Sequence, residues 1–199
     1  MDLNEKPKEI TQFDECLRFH TILTIDIEFP GFITQSPWDF IDKEIYKEFR
    51  FNVNQTKLIQ LGVTTLDDLG RIGSSWYSDF DFHADAYSPS TIMFLEKNGL
   101  NFKKLKEDGI SIASFTKKFS PIIKKLLPKS MEEFATVVVN KVGIVRDLNH
   151  MARFCEGLED GRLGLERLGK LLNKKKFGMK HNAGSDSLLT TSAHFEMVK

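Results

Sequence analysis

Two acidic residues interrupt the apolar stretch "TILTIDIEFPG" at residues 21–31. Because side chains alternate along a strand, Asp26 and Glu28 share one face. The opposite face carries Leu23, Ile25, Ile27 and Phe29. Two like charges side by side repel each other unless a cation lies between them. From this stretch alone two interpretations are open: an edge strand with a solvated polar face, or a pair of metal ligands.

A third acid, Asp186, stands in the first turn of a predicted C-terminal helix that we expect to begin near Ser185. Its simplest role is to favour the helix dipole and to bind free amide groups. His181 lies five residues upstream in the approach loop. There it is either an exposed loop histidine or a group that reaches the same place as the acid.

Together these carboxylates and the histidine are the ingredients of a site that hydrolyses phosphodiesters. Two magnesium-type ions about 3.5–4 Å apart can activate a water and stabilise the leaving oxygen, and such hard cations prefer carboxylate ligands. A histidine near the attacking water can act as a general base. Two divalent ions carry four positive charges, which three carboxylates and one bridging phosphate would balance.

The composition is that of an ordinary soluble globular protein, with 199 residues, 41% hydrophobic and 28% charged. One domain spanning residues 1–199 is expected at this length. The net charge of zero gives no overall basic field, although local basic residues can still serve a nucleic acid. Cys16 and Cys155 fit no metal-binding spacing and indicate a reducing compartment. No apolar run approaches the roughly 18 residues of a membrane span, and we expect an intracellular protein without a secretory signal.

The N-terminal half predicts a sheet. A helix over residues 8–19 precedes the acidic strand, and a loop with several prolines and glycines follows it. Residues 56–66 and 74–83 read as two further strands, and their short connections predict an antiparallel meander. Residues 88–99 predict a helix, because a serine cap, a proline at the first position and a closing glycine bracket it.

The C-terminal half predicts helices. Residues 114–134 read as a helix interrupted by two prolines, and residues 141–158 as a short strand followed by a helix capped by Asp147. A short helix at 164–172 leads through a basic loop to the last helix, whose buried stripe is expected at Leu189, Ala193 and Met197. Strands first and helices later indicate a mixed α/β domain.

The basic loop contains Lys174, Lys175 and Lys176. These lysines could contact an RNA phosphate, although runs of lysine are more often solvated loops.

Four stretches resemble, in order, motifs of one protein family: "IDIEFPGF", "KLIQLGVTTLDDLG", "STIMFLEKNGLNFKKLKEDGI" and "HNAGSDSLLT". This is the CCR-four-associated factor one (Pop-two) family, the poly(A) deadenylase subunits of the CCR–NOT complex. The resemblance runs from about residue 12 to residue 195 and is greatest to the plant branch. Asn182 stands where the family usually has glutamine.

The resemblance implies a ribonuclease-H-like exonuclease of the DEDD class, with a mixed sheet and flanking helices, that removes adenylates from the 3′ end of mRNA. It implies two divalent ions, Mg²⁺ or Mn²⁺, bound by Asp26, Glu28 and Asp186, and a water oriented or deprotonated by His181. The implied partners are the poly(A) tail, the NOT scaffold subunit and a second deadenylase subunit. The implied locations are nucleus and cytoplasm, with no membrane attachment.

One family segment, which carries the third acid, is missing near residues 119–128. Between Gly109 and Val145 there is no aspartate, and the only acids are Glu132 and Glu133. Since losing even a supporting partner of a metal ligand costs about 10–100-fold, we expect reduced activity. The alternatives are a catalytically silent family member that binds scaffold partners or RNA, and a non-functional fragment.

The missing segment also contributes a central strand and its helix in the family. Without them the sheet should expose backbone amides and apolar surface beside the acidic strand. Either the stretch "ATVVVNKVGIV" moves into the gap or the domain is open and poorly stable.

Overall fold

A three-stranded antiparallel sheet stands at the centre of the N-terminal half. The computed structural model describes residues 22–35, 42–67, 70–111, 113–114, 130–178 and 181–199. The strands are β1 (Leu23–Glu28), β2 (Gln60–Asp67) and β3 (Gly70–Tyr77), in the order β1-β2-β3. The predicted meander is confirmed. Strand β2 begins four residues later than expected, and β3 begins four residues earlier and ends six residues earlier than expected. The predicted helix over 8–19, Cys16 and the two prolines within 114–134 lie outside the described residues.

The described chain contains seven α-helices and one short 3₁₀ helix at Glu159–Gly161. The α-helices are α1 (Asp42–Gln55), α2 (Pro89–Lys97), α3 (Phe102–Asp108), α4 (Met131–Val142), α5 (Leu148–Ala152), α6 (Leu165–Leu171) and α7 (Ala183–Met197). Helices α1 and α3 were not among the predicted elements. None of the described helices is long and apolar enough to cross a membrane.

Helix boundaries follow the capping residues. Helix α2 begins at Pro89 as predicted, with Ser88 in the N-cap position, although the Ser88 side chain makes no capping hydrogen bond. The Asp147 carboxylate caps α5 by accepting from His150 N at 2.7 Å. Helix α7 begins at Ala183, earlier than predicted. The reason is that Asn182 acts as its N-cap and accepts from Ser185 N at 3.2 Å.

The stretch "ATVVVNKVGIV" does not enter the sheet. Ser130 caps α4, which takes up residues 131–142, and residues 143–147 form neither helix nor strand. The predicted short strand there is therefore wrong. Val139 and Ile144 are 62% and 84% exposed, so they cover no described strand. Of the two alternatives, the open domain is the one observed in the described part of the chain.

The apolar face of the sheet is covered over β2 and β3 but largely exposed over β1. Over β2 and β3, Val63 and Trp76 are buried, and Ile110 packs against them. Over β1, Ile25 and Ile27 are half exposed, at 50% and 51%. Among the described strands β1 pairs only with β2 and therefore lies at the edge of the sheet. This is the result expected from a missing covering segment.

The other face of the sheet packs against α7, and a second core lies behind that helix. The core of α5, α6 and α7 contains Leu148, Ala152, Leu158, Leu163, Leu168 and Ala193. Of the predicted stripe on α7, Leu189 and Ala193 are buried and Met197 is half buried. A separate core joins α2 and α3 to the end of the sheet around Phe80 and Leu95. Helix α7 is thus fixed between the sheet and the C-terminal helices.

Candidate metal centre

Hydroxyl groups attach α7 to the acidic face of the sheet. Thr24 precedes Asp26 by two residues and therefore lies on the same face of β1. Its Oγ1 donates to Ser187 O at 3.0 Å and contacts Thr191 Oγ1. Thr64 Oγ1 lies 2.9 Å from Ser187 Oγ. These contacts place the first turn of α7, and hence Asp186, above the acids of β1.

A glycine on β2 allows the helix to come this close. Gly62 pairs with Asp26 in the β1–β2 ladder. A Cβ at Gly62 would lie only 1.9 Å from Ala183 O, which is impossible without moving the helix. The neighbouring Gln60, which pairs with Glu28, accepts a hydrogen bond from Ala183 N at 3.2 Å. Strand β2 therefore sets the position of the N-terminus of α7.

Three carboxylates converge at this contact. One carboxylate oxygen from each of Asp26, Glu28 and Asp186 lies within 4.8 Å of the others. The two strand acids are half buried and Asp186 is buried. Among the described residues, this is the one group of three or more potential metal-binding side chains.

The site favours a positive charge at its centre. Burial raises the pKa of Asp26 to about 6, and the nearby Asp186 carboxylate adds to the effect. Burial likewise raises the pKa of Glu28 to about 7, with contributions from Asp26 and Asp186. Ionised carboxylates are thus destabilised here unless a cation compensates them. Closely spaced oxygen ligands on rigid elements fit a hard divalent ion such as Mg²⁺ or Mn²⁺.

Lys176 is already in contact with the cluster. Its Nζ lies 2.5 Å from Asp186 Oδ1 and 3.8 Å from Glu166 Oε1. Its side chain is 13% exposed, and its charge lowers the pKa values of both Asp26 and Glu28, against the effect of burial. The solvated-loop interpretation therefore fits the exposed Lys175 and not Lys176.

His181 lies just before α7, the helix that carries Asp186, but it is not part of the group of three converging carboxylates. It has a positive φ of 49°, and its ring centroid is 4.6 Å from that of Phe94. It lines a cleft of about 220 Å³ together with Tyr77 and Asn182. The histidine is half buried, and none of the three acids is among the residues that line this cleft. Its role as a base therefore stays a prediction.

No other described acid takes the place of the further aspartate that the family resemblance implies. Glu132 and Glu133 lie exposed in the first turn of α4. The Asp147 carboxylate is engaged as the N-cap of α5. Within the described part of the chain, the cluster thus remains a set of three acids.

Sequence reasoning missed two residues that shape this site. Gly62 carried a usable signal, since a glycine inside a strand of β-branched residues often marks a close backbone approach. Lys176 carried none beyond membership of a lysine run, because only the fold brings its loop to Asp186.

Comparison with known proteins agrees with this picture. The model of one family, described as CAF1 family ribonuclease, matches residues 4–120. The putative CCR4-associated factor 1 homolog 8 of Arabidopsis thaliana is 35% identical over 206 residues, which cover 89% of this chain and 85% of that protein.

Solved structures show the same fold. S. pombe Pop2p in its Mg²⁺- and Mn²⁺-bound form has a TM-score of 0.71 at 21% identity, covering 99% of this chain and 90% of that one. A chain in the structure of the yeast NOT1 MIF4G domain co-crystallized with CAF1 has a TM-score of 0.75 at 18% identity, covering 96% and 84%. The predicted α/β fold, similar to Pop2 and CAF1, is confirmed.

Proposed function

Because this chain belongs to the CAF1 family of ribonucleases, we propose that it is a metal-dependent 3′-exoribonuclease that removes adenylates from poly(A). The observation that carries the proposal is the convergence of Asp26, Glu28 and Asp186 within 4.8 Å. These acids come from two elements about 160 residues apart in the chain. Their charges would be unfavourable together without a ligand that compensates them.

Each residue has a defined task in this proposal. Asp26, Glu28 and Asp186 would hold the divalent metal, whose chemistry there would be activation of a water and stabilisation of the leaving oxygen. His181, at the cleft beside α7, accepts the proton of the attacking water. Phe94 packs edge-on against the His181 ring.

The proposed partners follow from the relatives. The Arabidopsis protein is named a CCR4-associated factor homolog, and a structural neighbour was crystallised with NOT1. We infer that this chain joins a complex with a NOT-type scaffold and a second deadenylase subunit, in nucleus and cytoplasm.

A specific observation favours a second candidate, a family member with little or no activity that works by binding its partners. The described residues supply three acids, and the segment that carries the family's third acid is absent from the sequence. A lost ligand should weaken metal binding by at least about 10–100-fold.

One assay separates the two candidates. The purified chain is incubated with 5′-labelled oligo(A) and Mg²⁺ or Mn²⁺, beside the variants Asp26→Asn and Glu28→Gln. We expect the unmodified chain to shorten oligo(A) stepwise and either substitution to abolish this activity, because each variant loses the negative charge of one metal-binding carboxylate. Glu107→Gln is the matched control, since this exposed glutamate on α3 lies outside the cluster.

The contrary result is equally informative. No shortening by the unmodified chain, together with retained binding to a NOT1 MIF4G domain, would reject the nuclease and support the second candidate. Shortening that persists in both cluster variants would point to a contaminating nuclease and also reject the proposal.

A further inference from the structure

The loop between α6 and α7 is held against α7 on both sides of Lys176. The Lys174 ammonium group lies 2.5 Å from Glu196 Oε2 near the end of the helix. On the other side, Gly178 has a φ of +93°, and a Cβ there would lie 2.1 Å from Ser185 Oγ. These contacts with α7 on both sides therefore fix the position of Lys176 in the fold.

Lys176 places a positive charge beside the three acids, at the point where a metal ion would otherwise compensate their charge. Its Nζ is 2.5 Å from Asp186 Oδ1, and the two side chains are only 13% and 11% exposed. Water screens such a pair much less than an exposed one. The 3.8 Å distance to Glu166 Oε1 also connects this ammonium group to α6.

The charge count then differs from that of a site for two metals. Asp26, Glu28 and Asp186 contribute three negative charges and Lys176 one positive charge, which leaves a net charge of minus two. One divalent ion neutralises this charge. A second ion would give the site a net charge of plus two, which one bridging phosphate lowers only to plus one. The further acid that the family resemblance implies, and that would offset this charge, is missing from this sequence.

We propose that Lys176 is a positioning residue that serves as a built-in cation of this site. It holds Asp186 beside the strand acids when no metal is bound, competes with an incoming ion, and limits the site to one divalent ion. The inference rests on the proposed function, because it requires that the three acids bind metal.

Two other roles for Lys176 make different predictions. A purely structural ion pair would stabilise the fold equally with and without metal, so its removal would not tighten metal binding. A contact to RNA phosphate would affect oligo(A) binding and leave metal affinity unchanged. Only a built-in cation predicts that losing the charge weakens the metal-free protein and strengthens metal binding.

The test compares the unmodified full chain with Lys176→Met, which keeps the length and apolar character of the side chain. Free Mn²⁺ is measured by electron paramagnetic resonance at pH 8, where Asp26 and Glu28 are largely ionised. The melting temperature is measured in EDTA. Lys175→Met is the matched control, because the neighbouring Lys175 is exposed.

We expect one Mn²⁺ per unmodified chain. Lys176→Met should bind Mn²⁺ about tenfold more tightly, since the competing charge is gone. Its metal-free melting temperature should fall by about 5 °C, because a mostly buried carboxylate loses its partner. Lys175→Met should match the unmodified chain in both measurements. Lys176→Arg should have a Mn²⁺ affinity within a few-fold of that of the unmodified chain and a melting temperature within a degree or two of it.

Unchanged or weaker Mn²⁺ affinity in Lys176→Met would overturn the inference and leave the proposed function intact. Two Mn²⁺ ions per unmodified chain would overturn it as well. No Mn²⁺ binding by either protein would overturn the proposed metal site, and the inference with it.

Discussion

Among single residues, Asp26 and Glu28 contribute to how the stability of the metal-free protein depends on pH. Both carboxyl groups have raised pKa values in the folded chain, about 6 and about 7, because they are partly buried beside Asp186. The unfolded chain holds them near 3.8 and 4.5. Between these values the folded state binds more protons than the unfolded state, so stability falls as pH rises.

The first prediction follows from the direction of this pH dependence. In EDTA, the contribution of these carboxyl groups to the free energy of unfolding should be fully present below about pH 4. It should be lost as pH rises through 6 and 7. Urea unfolding between pH 5 and pH 8 measures it, with the double variant Asp26→Asn/Glu28→Gln as reference. If the unmodified chain does not lose stability relative to the double variant as pH rises, the result contradicts the raised pKa values.

His181 carries the second prediction. Replacement by asparagine, which tolerates a positive φ such as 49°, should leave the fold intact. If the histidine is the general base, kcat on oligo(A) should fall by about 10²–10⁴-fold. Mn²⁺ affinity should stay unchanged, because the His181 ring lies outside the three-acid group.

His83→Asn is the control for this variant, since His83 lies exposed in a turn away from the cluster. A similar fall in kcat for both variants, or a loss of Mn²⁺ affinity in His181→Asn alone, would argue against the assigned role.

At the scale of elements, the site depends on how closely α7 approaches β2. Asp186 reaches the strand acids because Gly62 has no side chain and Gln60 binds the first amide of the helix. Thr24 and Thr64 attach the next turn through hydroxyl contacts to Ser187. The strand pair and the helix are therefore one unit, and displacing the helix should open the metal site.

The third prediction tests this contact. Gly62→Ala should destabilise the fold by about 1–3 kcal/mol, because its Cβ would meet the Ala183 carbonyl at 1.9 Å. It should also weaken Mn²⁺ binding more than tenfold, as the helix moves away with Asp186. Calorimetry and urea unfolding measure the two effects.

Gly164→Ala offers a comparison, because nothing lies within 4 Å of a Cβ there and its φ is −69°. It should cost less than about 1 kcal/mol and leave Mn²⁺ affinity as it was. Equal metal binding by Gly62→Ala and Gly164→Ala would show that the close approach does not position Asp186.

For the whole molecule, the notable feature is a sheet that is closed on its acidic face and open on part of its apolar face. Ile25 and Val63 lie directly opposite each other in the ladder and on the same face. Val63 is 3% exposed and Ile25 is 50% exposed. The cover over β2 and β3 thus ends before β1, at the edge strand that carries the metal-binding acids.

The fourth prediction uses this matched pair. Ile25→Thr should change the free energy of unfolding by less than about 0.5 kcal/mol, as expected for an exposed site. Val63→Thr should cost about 1–3 kcal/mol, because it buries a hydroxyl group in an apolar cluster. Urea unfolding compares them, and light scattering should show less aggregation for Ile25→Thr. Equal costs would mean that β1 is covered as fully as β2.

Much of the site was predictable from local patterns. The two-residue alternation places Asp26 and Glu28 on one face of β1, and capping residues predicted the starts of α2 and α5. These features depend on neighbours within a few residues, which a sequence displays directly. The motifs containing these acids and Asp186 also indicated the family, which the comparisons confirmed.

The tertiary structure alone decided that Asp186 lies within 4.8 Å of the strand acids, that Lys176 pairs with it, and that the face of β1 stays open. Each of these depends on packing between segments far apart in the chain. That packing is set by the clearance at Gly62 and by a loop that folds back on α7. Local periodicity carries no information about such distances, because the same strand and helix could pack at many separations until those contacts fix one.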